Sequence, residues 1–430
     1  MSHLFFIFLL ICFMAVRPIL AIIIVVLRSF IPFFKLRLDF ERKNLVEEAS
    51  LRKMRADFCF EVSSEGELEQ VRALLEEALK RKKKIEIIYS SASVESKCNS
   101  IYKDHPLQVR LLRLPILSGA PTSFLYFQSV WEWVSAPTII FCRYDFFPEL
   151  LLLKLFSKKF VLISGATKKP SWYKLESFKF FDVVVAATDI ERDNFEAILG
   201  EKVKVYSCDF RVPRVTKRFA HADEILSQRE ELHSLLEKLK RTPASKKLIL
   251  GSAWASDLKI LNHPELIQKV KSGELFIVIA PHKLDELHVS ELHKGLVDFI
   301  GSDQIEVVSS QTPYQKSPIV ILQVGGILCE MYSQFSITYV GGGYERSIHS
   351  VLEPLFSDNV VITGPVIHRS TEFDLAQGLV PSEIHVLNNP ESFYNIFSHI
   401  DVMNLDLKGR SSFQERTDQV MTSIFKDILG

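Results

Sequence analysis

From about residue 56 onward, short apolar runs alternate with stretches of helical period, and no other feature restricts the possible fold as much. The runs at 58–62, 85–89, 109–114, 138–142, 160–163 and 183–186 have strand length. Between the first two, residues 67–81 place Leu68, Val71, Leu74, Leu75 and Leu79 on one helical face. Apolar strands separated by helices form parallel sheets covered on both sides. The alternation pauses over a polar, charged segment at 213–247, of which 221–240 reads as helix. It resumes with strands at 247–250, 275–280, 319–323, 337–340 and 360–363. A chain of 430 residues exceeds one ordinary core. The expected fold is therefore α/β, with two Rossmann-like domains at 50–212 and 213–390 and a helical segment at 391–430 returning to the first. Ligands of such sheets bind beyond the carboxyl ends of the strands, so the cleft between two facing domains is the expected site.

Composition narrows the function classes. Lys and Arg number 52, as do Asp and Glu, so bulk nucleic-acid binding is not expected and basic character is local. Cys12, Cys59, Cys98, Cys142, Cys208 and Cys329 are widely spaced, with no CxxC pair or Cys/His cluster. That pattern argues against a disulfide framework or structural zinc and fits a reducing compartment. Neither a metal nor another cofactor is expected.

The first 34 residues are of another kind. Apolar residues run on both sides of Arg17, and Lys35, Arg37, Arg42 and Lys43 follow. A secretory signal would have a basic start, a short apolar core and a small-residue cleavage site. A charge near the middle of a membrane span is costly. Residues 1–34 are thus expected to form an anchor helix that either spans a membrane or lies in its interface. The basic residues behind it favour a body facing the cytoplasm.

Two constellations carry candidate chemistry. Gly341-Gly342-Gly343 ends the apolar run at 337–340, and a helix-compatible segment containing His349 and Glu353 follows. Glycines after a strand allow close approach of a ligand, and a helix N-terminus offers N–H groups to an anion. A glutamate two to three turns on can reach the hydroxyls of a ribose; the bland alternative is an ordinary strand–turn–helix. The other constellation is Ser63-Ser64-Glu65-Gly66-Glu67 after the first strand, with Gly66 permitting the turn and Glu67 in the first helical turn. A carboxylate there can take a proton from an attacking hydroxyl, or simply favour the helix dipole.

The order of these motifs resembles that of bacterial Kdo transferases, which move 3-deoxy-manno-octulosonic acid from its CMP sugar to lipid A precursors. Ser64-Glu65-Gly66-Glu67-Leu68-Glu69-Gln70 is similar to that family's Ser-x-Gly-Glu-x-x-Gln turn. Gly251-Ser252-Ala253-Trp254, with Asp257, resembles its Gly-Ser-Thr-Trp turn, and Ala280-Pro281-His282-Lys283 its Ala-Pro-His segment. Gly341 to Gly343, Ile348-His349-x-x-Leu352-Glu353 and Gly364-Pro365 follow in the family's order. The resemblance implies a GT-B glycosyltransferase that inverts the anomeric centre, with CMP-Kdo as donor, a lipid A precursor as acceptor and the inner (plasma) membrane surface as partner. It implies Glu67 as the catalytic base and Glu353 as the acid that holds the cytidine ribose. Gly251, Ser252, Pro281, His282, Gly341, Gly342 and Gly343 fall where donor phosphate and nucleotide are bound. His349 is either a donor-pocket residue or a core packing partner.

Departures cluster in the acceptor half. The family's Met-Glu-x-Glu-x-Trp-Pro appears as Cys142-Arg143-Tyr144-Asp145-Phe146-Phe147-Pro148, which reverses the first acidic charge at Arg143 and keeps the second at Asp145. Arg143 could meet a sugar carboxylate or an acceptor phosphate, or form a structural ion pair. The segment 164–171 lacks the family's arginine but has Lys168 and Lys169, which could touch a phosphorylated lipid or form a solvated turn. Ser64, Gly66, Arg143, Asp145 and Lys168 are the expected acceptor contacts. Two rivals stand beside the transferase: a nucleotide-sugar epimerase or hydrolase on the same fold, and a degenerate membrane-bound homologue that binds lipid A or a partner.

Overall fold

The computed structural model describes residues 3–115, 130–143, 146–156, 158–167, 171–345, 347–367, 371–400, 405 and 407–430. The chain divides into two compact units, Met1–Arg211 with Thr417–Gly430, and Val212–Arg416.

The first unit is built on a seven-stranded sheet in the order β3-β2-β1-β4-β5-β6-β7. The strands are β1 Phe58–Val62, β2 Ile85–Tyr89, β3 Val109–Arg113, β4 Thr138–Cys142, β5 Lys159–Gly165, β6 Val183–Ala186 and β7 Lys204–Ser207. Every pairing is parallel. β1 to β4 are buried along their whole length, which is why they are apolar on both faces. One face packs on the helix Glu65–Lys80 through Leu68, Val71, Leu74 and Leu75, and Ile424 and Ile428 near the C-terminus close the same core. The other face is aromatic, with Phe141, Phe160, Phe178, Phe181 and Phe195.

The apolar N-terminal segment forms helix α1, His3–Leu27, followed by α2, Pro32–Arg42. Among the described residues no helix is long and apolar enough to cross a membrane, so the spanning form of the expected anchor is not what the structure contains. The physical reason lies in α1 itself. Phe6, Leu10 and Met14 are buried in the aromatic core of the first unit. Arg17 is buried too, and its guanidinium meets the Glu149 carboxylate at 3.2 Å. The opposite side of α1 leaves Phe8, Ile11, Ile19, Ile22 and Val26 exposed, and Phe30, Phe33 and Leu36 continue that apolar surface into α2.

The second unit has its own seven-stranded sheet, order β10-β11-β9-β8-β12-β13-β14. Its strands are β8 Lys247–Ala253, β9 Phe276–Pro281, β10 Ile305–Ser309, β11 Ile319–Gln323, β12 Ile337–Val340, β13 Val360–Thr363 and β14 Ile384–Val386. These pairings are likewise parallel. In each sheet the first strand has later strands on both sides. β1 separates β2 from β4, and β8 separates β9 from β12. Chain direction therefore switches beside β1 and beside β8, where open α/β sheets bind ligands.

Candidate active site

In the second unit the donor-side candidates lie at the carboxyl ends of four adjacent strands, β9, β8, β12 and β13. Gly251 and Ser252 are in the last turn of β8, where its register with β9 shifts between Leu250 and Ala253. Ser252 has φ +53°, a left-handed conformation. A Cβ on Gly251 would stand 1.9 Å from the Tyr332 hydroxyl. Gly341 follows β12, and its Cβ would meet the Ser252 carbonyl at 2.4 Å. Gly342 has φ +89°, and Gly343 faces Gly364 so closely that a Cβ would fall 2.6 Å from its backbone. The glycines thus let three strand ends of one sheet crowd together. No helix starts directly behind them: the next is the short Leu352–Phe356, with Val351 as its N-cap. The expected helix N-terminus against a phosphate is therefore absent from residues 344, 345 and 347–351.

Asp257 ties two of these ends, those of β8 and β12, together. Its Oδ2 accepts from the backbone N–H groups of Trp254 at 2.9 Å and Gly342 at 3.0 Å, and its Oδ1 accepts from the Tyr339 hydroxyl at 2.9 Å. Burial pushes this carboxyl above its ordinary range despite those donors. Beside it the Trp254 indole stacks on His282 at 4.5 Å, and His282 stacks on His349 at 4.2 Å. His282 leaves β9 with its N–H on the Ala253 carbonyl at 3.0 Å. The Trp254 Nε1–H donates to His349 Nε2 at 3.3 Å, so His349 carries its proton on Nδ1. Burial, then the neighbouring His282, lowers His349 to about 4. His349 is thus a neutral imidazole stacked among the glycine turns.

Glu353 sits in the first turn of the helix Leu352–Phe356. Burial raises its carboxyl to about 7; Glu372 and Glu330 add to the rise, while Arg218 and Arg214 oppose it. Arg218 forks onto buried Glu330 with two bonds of 2.7 Å. Both arginines come from the helix Arg211–Ala220, which sequence reasoning passed over as part of a polar connection. Its signal was present: Arg214 and Arg218 are four apart, and Pro213 stands in the first turn, where proline is tolerated.

The first unit gathers its candidates at the ends of β1 and β4. Ser64 caps the helix Glu65–Lys80, its Oγ accepting from the Glu67 N–H at 3.3 Å. Glu67 Oε2 in turn accepts from the Ser63 N–H at 2.6 Å. This reciprocal capping holds a carboxylate that is only 6% exposed. Gly66 lies inside the first helical turn, not at a turn needing glycine: its φ is not positive, and the nearest atom to an added Cβ would be Ser64 Oγ at 4.0 Å. Arg143, with φ +61°, closes β4 and donates through Nε to Gln70 Oε1 at 3.0 Å. The Cys142 thiol donates to the same oxygen at 3.3 Å, and burial, then the charge of Glu67, keeps it protonated. Burial alone would raise Asp209, but Arg211 and Arg143 hold it below the ordinary range. Ser64, Gly66, Glu67 and Arg143 therefore come together. Gln70, Asp209 and Arg211 are neighbours that the sequence shows only as motif members without a role, the latter two in a segment resembling the family's Gly-Asp-x-Arg turn. Asp145 and Lys168 lie outside the described residues.

Two Rossmann-like units with strand ends arranged in this way define a protein of GT-B type. A solved glycosyltransferase from Rickettsia africae has the same fold, with a TM-score of 0.55 over 88% of this chain and 99% of that one at 12% identity. So has UDP-GlcNAc 2-epimerase from Neisseria meningitidis, at 0.53 over 85% and 93% with 11% identity. No protein-family model matches the chain. In sequence it is a distant relative of 3-deoxy-D-manno-octulosonic acid transferases: it is 24% identical to the Chlamydia trachomatis enzyme over 183 residues, 42% of this chain. The match spans 39% of that enzyme's length.

Proposed function

We propose that this protein is an inverting glycosyltransferase that moves Kdo from CMP-Kdo to a lipid A precursor. Glu67 acts as general base on the acceptor hydroxyl, and the second unit holds the nucleotide through Glu353. The observation that carries this reading is the position of Glu67, a carboxylate fixed by a backbone N–H at the switch point of its sheet, with Arg143 just past the end of the neighbouring strand β4. The relatives' printed name supplies the sugar. The neutral imidazole of His349 and the glycine turns suit a phosphate that leaves carrying its charge into protein donors.

The acceptor would be met at the inner membrane. α1 and α2 are not built to cross it, but an exposed apolar face on a helix that is packed on its other side suits lying in the interface. Exposed Lys35 and Arg42 beside that face suit anionic headgroups of the cytoplasmic leaflet.

The test is transfer from freshly generated CMP-Kdo to a tetra-acylated lipid A precursor, wild type beside Glu67→Gln. A Kdo-bearing lipid made by the wild type and nearly abolished by the substitution supports both reaction and base. A wild type that binds cytidine nucleotide but makes no product refutes this acceptor. No nucleotide binding at all would refute the transferase.

A further inference from the structure

Beneath α2 the first unit contains a cavity of about 610 Å³. Phe33, Leu36, Phe40, Leu114 and Phe147 supply its apolar walls, and Ser91 and Ala92 part of its rim. Such a volume, apolar with a few polar groups, is that of an ordinary ligand site. Arg37 holds it open by bonding α2 to both strand ends beneath: its guanidinium donates to the carbonyl oxygens of Ser90 and Leu114, and to Glu41 at 2.5 Å. The Arg17–Glu149 pair closes another side with its charges already matched.

Two observations say what fills it. Phe33 and Leu36 line the cavity while being 61% and 70% exposed, so the exposed apolar surface of α2 continues into the cavity. That surface is flanked by exposed Lys35 and Arg42, a pattern complementary to an anionic amphiphile. The cavity also reaches the candidate base: Ser90, on its wall, donates through Oγ to Ser63 Oγ at 2.9 Å, and the Ser63 N–H binds Glu67 Oε2. A bulk lipid has no reason to lodge two hydrogen bonds from a catalytic carboxylate.

We infer that this cavity receives one acyl chain of the acceptor lipid and so registers the acceptor's hydroxyl against Glu67. The inference rests on the transferase reading above. It requires that narrowing the cavity weaken the acylated acceptor and leave a deacylated one untouched.

The experiment uses the full chain in Ala92→Phe and Ser91→Phe forms, with Ala92→Ser as control. The probe is a dansyl-tagged lauroyl glucosamine phosphate followed by fluorescence. Both phenylalanine variants should bind it about tenfold more weakly, the range expected when an apolar pocket rejects a chain. The control should match the wild type, and each variant should bind phosphatidylglycerol vesicles unchanged. Unaltered probe affinity in both variants overturns the inference, as does displacement of the probe by phosphatidylglycerol as readily as by lipid A precursor. Kdo transfer is measured separately on acylated and deacylated acceptor. Equal losses on the two would also overturn it. If the wild type neither transfers Kdo nor binds cytidine nucleotide while probe binding still falls in both variants, the transferase reading fails and the acyl site stands.

Discussion

Each unit places a carboxylate beyond the carboxyl ends of its parallel strands, and the two units treat it in opposite ways. Glu67 follows β1 and is bound by a backbone N–H that requires an acceptor oxygen. Glu353 follows the β12 turn, and burial raises its carboxyl to about 7, with two glutamates adding to the rise and two arginines opposing it. Their neighbours differ too. The motif glycines of the second unit are locked by contacts shorter than any Cβ tolerates, whereas a Cβ on Gly66 beside Glu67 would meet nothing closer than Ser64 Oγ at 4.0 Å. One motif is rigid because its backbone is packed against itself; the other is held by capping bonds on a helix end. The first suits a nucleotide that is always the same, the second an acceptor group that must be aimed.

The largest effect should come from exchanging the two acids in turn. Glu67→Gln keeps an oxygen to accept the Ser63 N–H, so the fold survives while the proposed base is lost. A drop in kcat of about 100- to 10,000-fold is expected, with cytidine nucleotide affinity unchanged. Glu353→Gln should do the reverse, weakening nucleotide binding about tenfold through a lost charged acceptor. Steady-state kinetics beside calorimetric titration with CMP separates the two, and matching losses in both quantities would erase the proposed division of labour.

Next comes rigidity. Gly343→Ala places a methyl against the Gly364 backbone, which has no flexible end to give way. A destabilisation of about 3 kcal/mol is expected in denaturant melts, confined to the transition of the second unit. An unchanged melt would mean that the turn is looser than its contacts indicate.

The contrast in charge should appear as a pH dependence. A carboxyl raised to about 7 favours the protonated form in the folded unit. It contributes stability that is complete below the ordinary glutamate range and is lost as pH rises through 7. Ribose hydroxyls donate best to the ionised acid, so CMP affinity should rise severalfold from pH 6 to 8 and release a proton on binding near neutrality. Glu353→Gln should flatten that slope. His349, lowered to about 4, should show no imidazole titration by NMR across the same range.

Legibility in the sequence followed burial. All the strands inside the sheets announced themselves, because a strand covered on both faces is a continuous apolar run. β7, β10 and β14 were not anticipated: they are edge strands, partly exposed, and carry Lys204, Glu306 and His385 in place of apolar residues. β3 is also an edge, yet it is wholly buried and was legible. At the sites, residue types that carry chemistry were visible, but the scaffolding around them was not. Asp257 was visible only as a motif member, although it joins the ends of β8 and β12. Arg214 and Arg218 act on Glu353 across more than a hundred residues of chain, a contact no local pattern encodes. The cavity under α2 is assembled from helix, loop and strand ends, so no single stretch displays it.

The smallest expected effect tests the comparison most directly. In the second unit each motif glycine is required by a neighbour or by a positive φ; Gly66 satisfies neither condition. It occupies the first turn of a helix, where glycine is worse than alanine because more backbone freedom is lost on folding. Gly66→Ala should therefore stabilise the first unit by about 0.5 kcal/mol in a denaturant melt, with transfer activity retained. Unchanged stability with a collapse of activity would show that the absent side chain leaves room for the acceptor, since nothing within the protein needs that space. That result would move Gly66 from the helix to the substrate, and the open motif of the first unit would then owe its glycine to a ligand where the closed one owes its glycines to the fold.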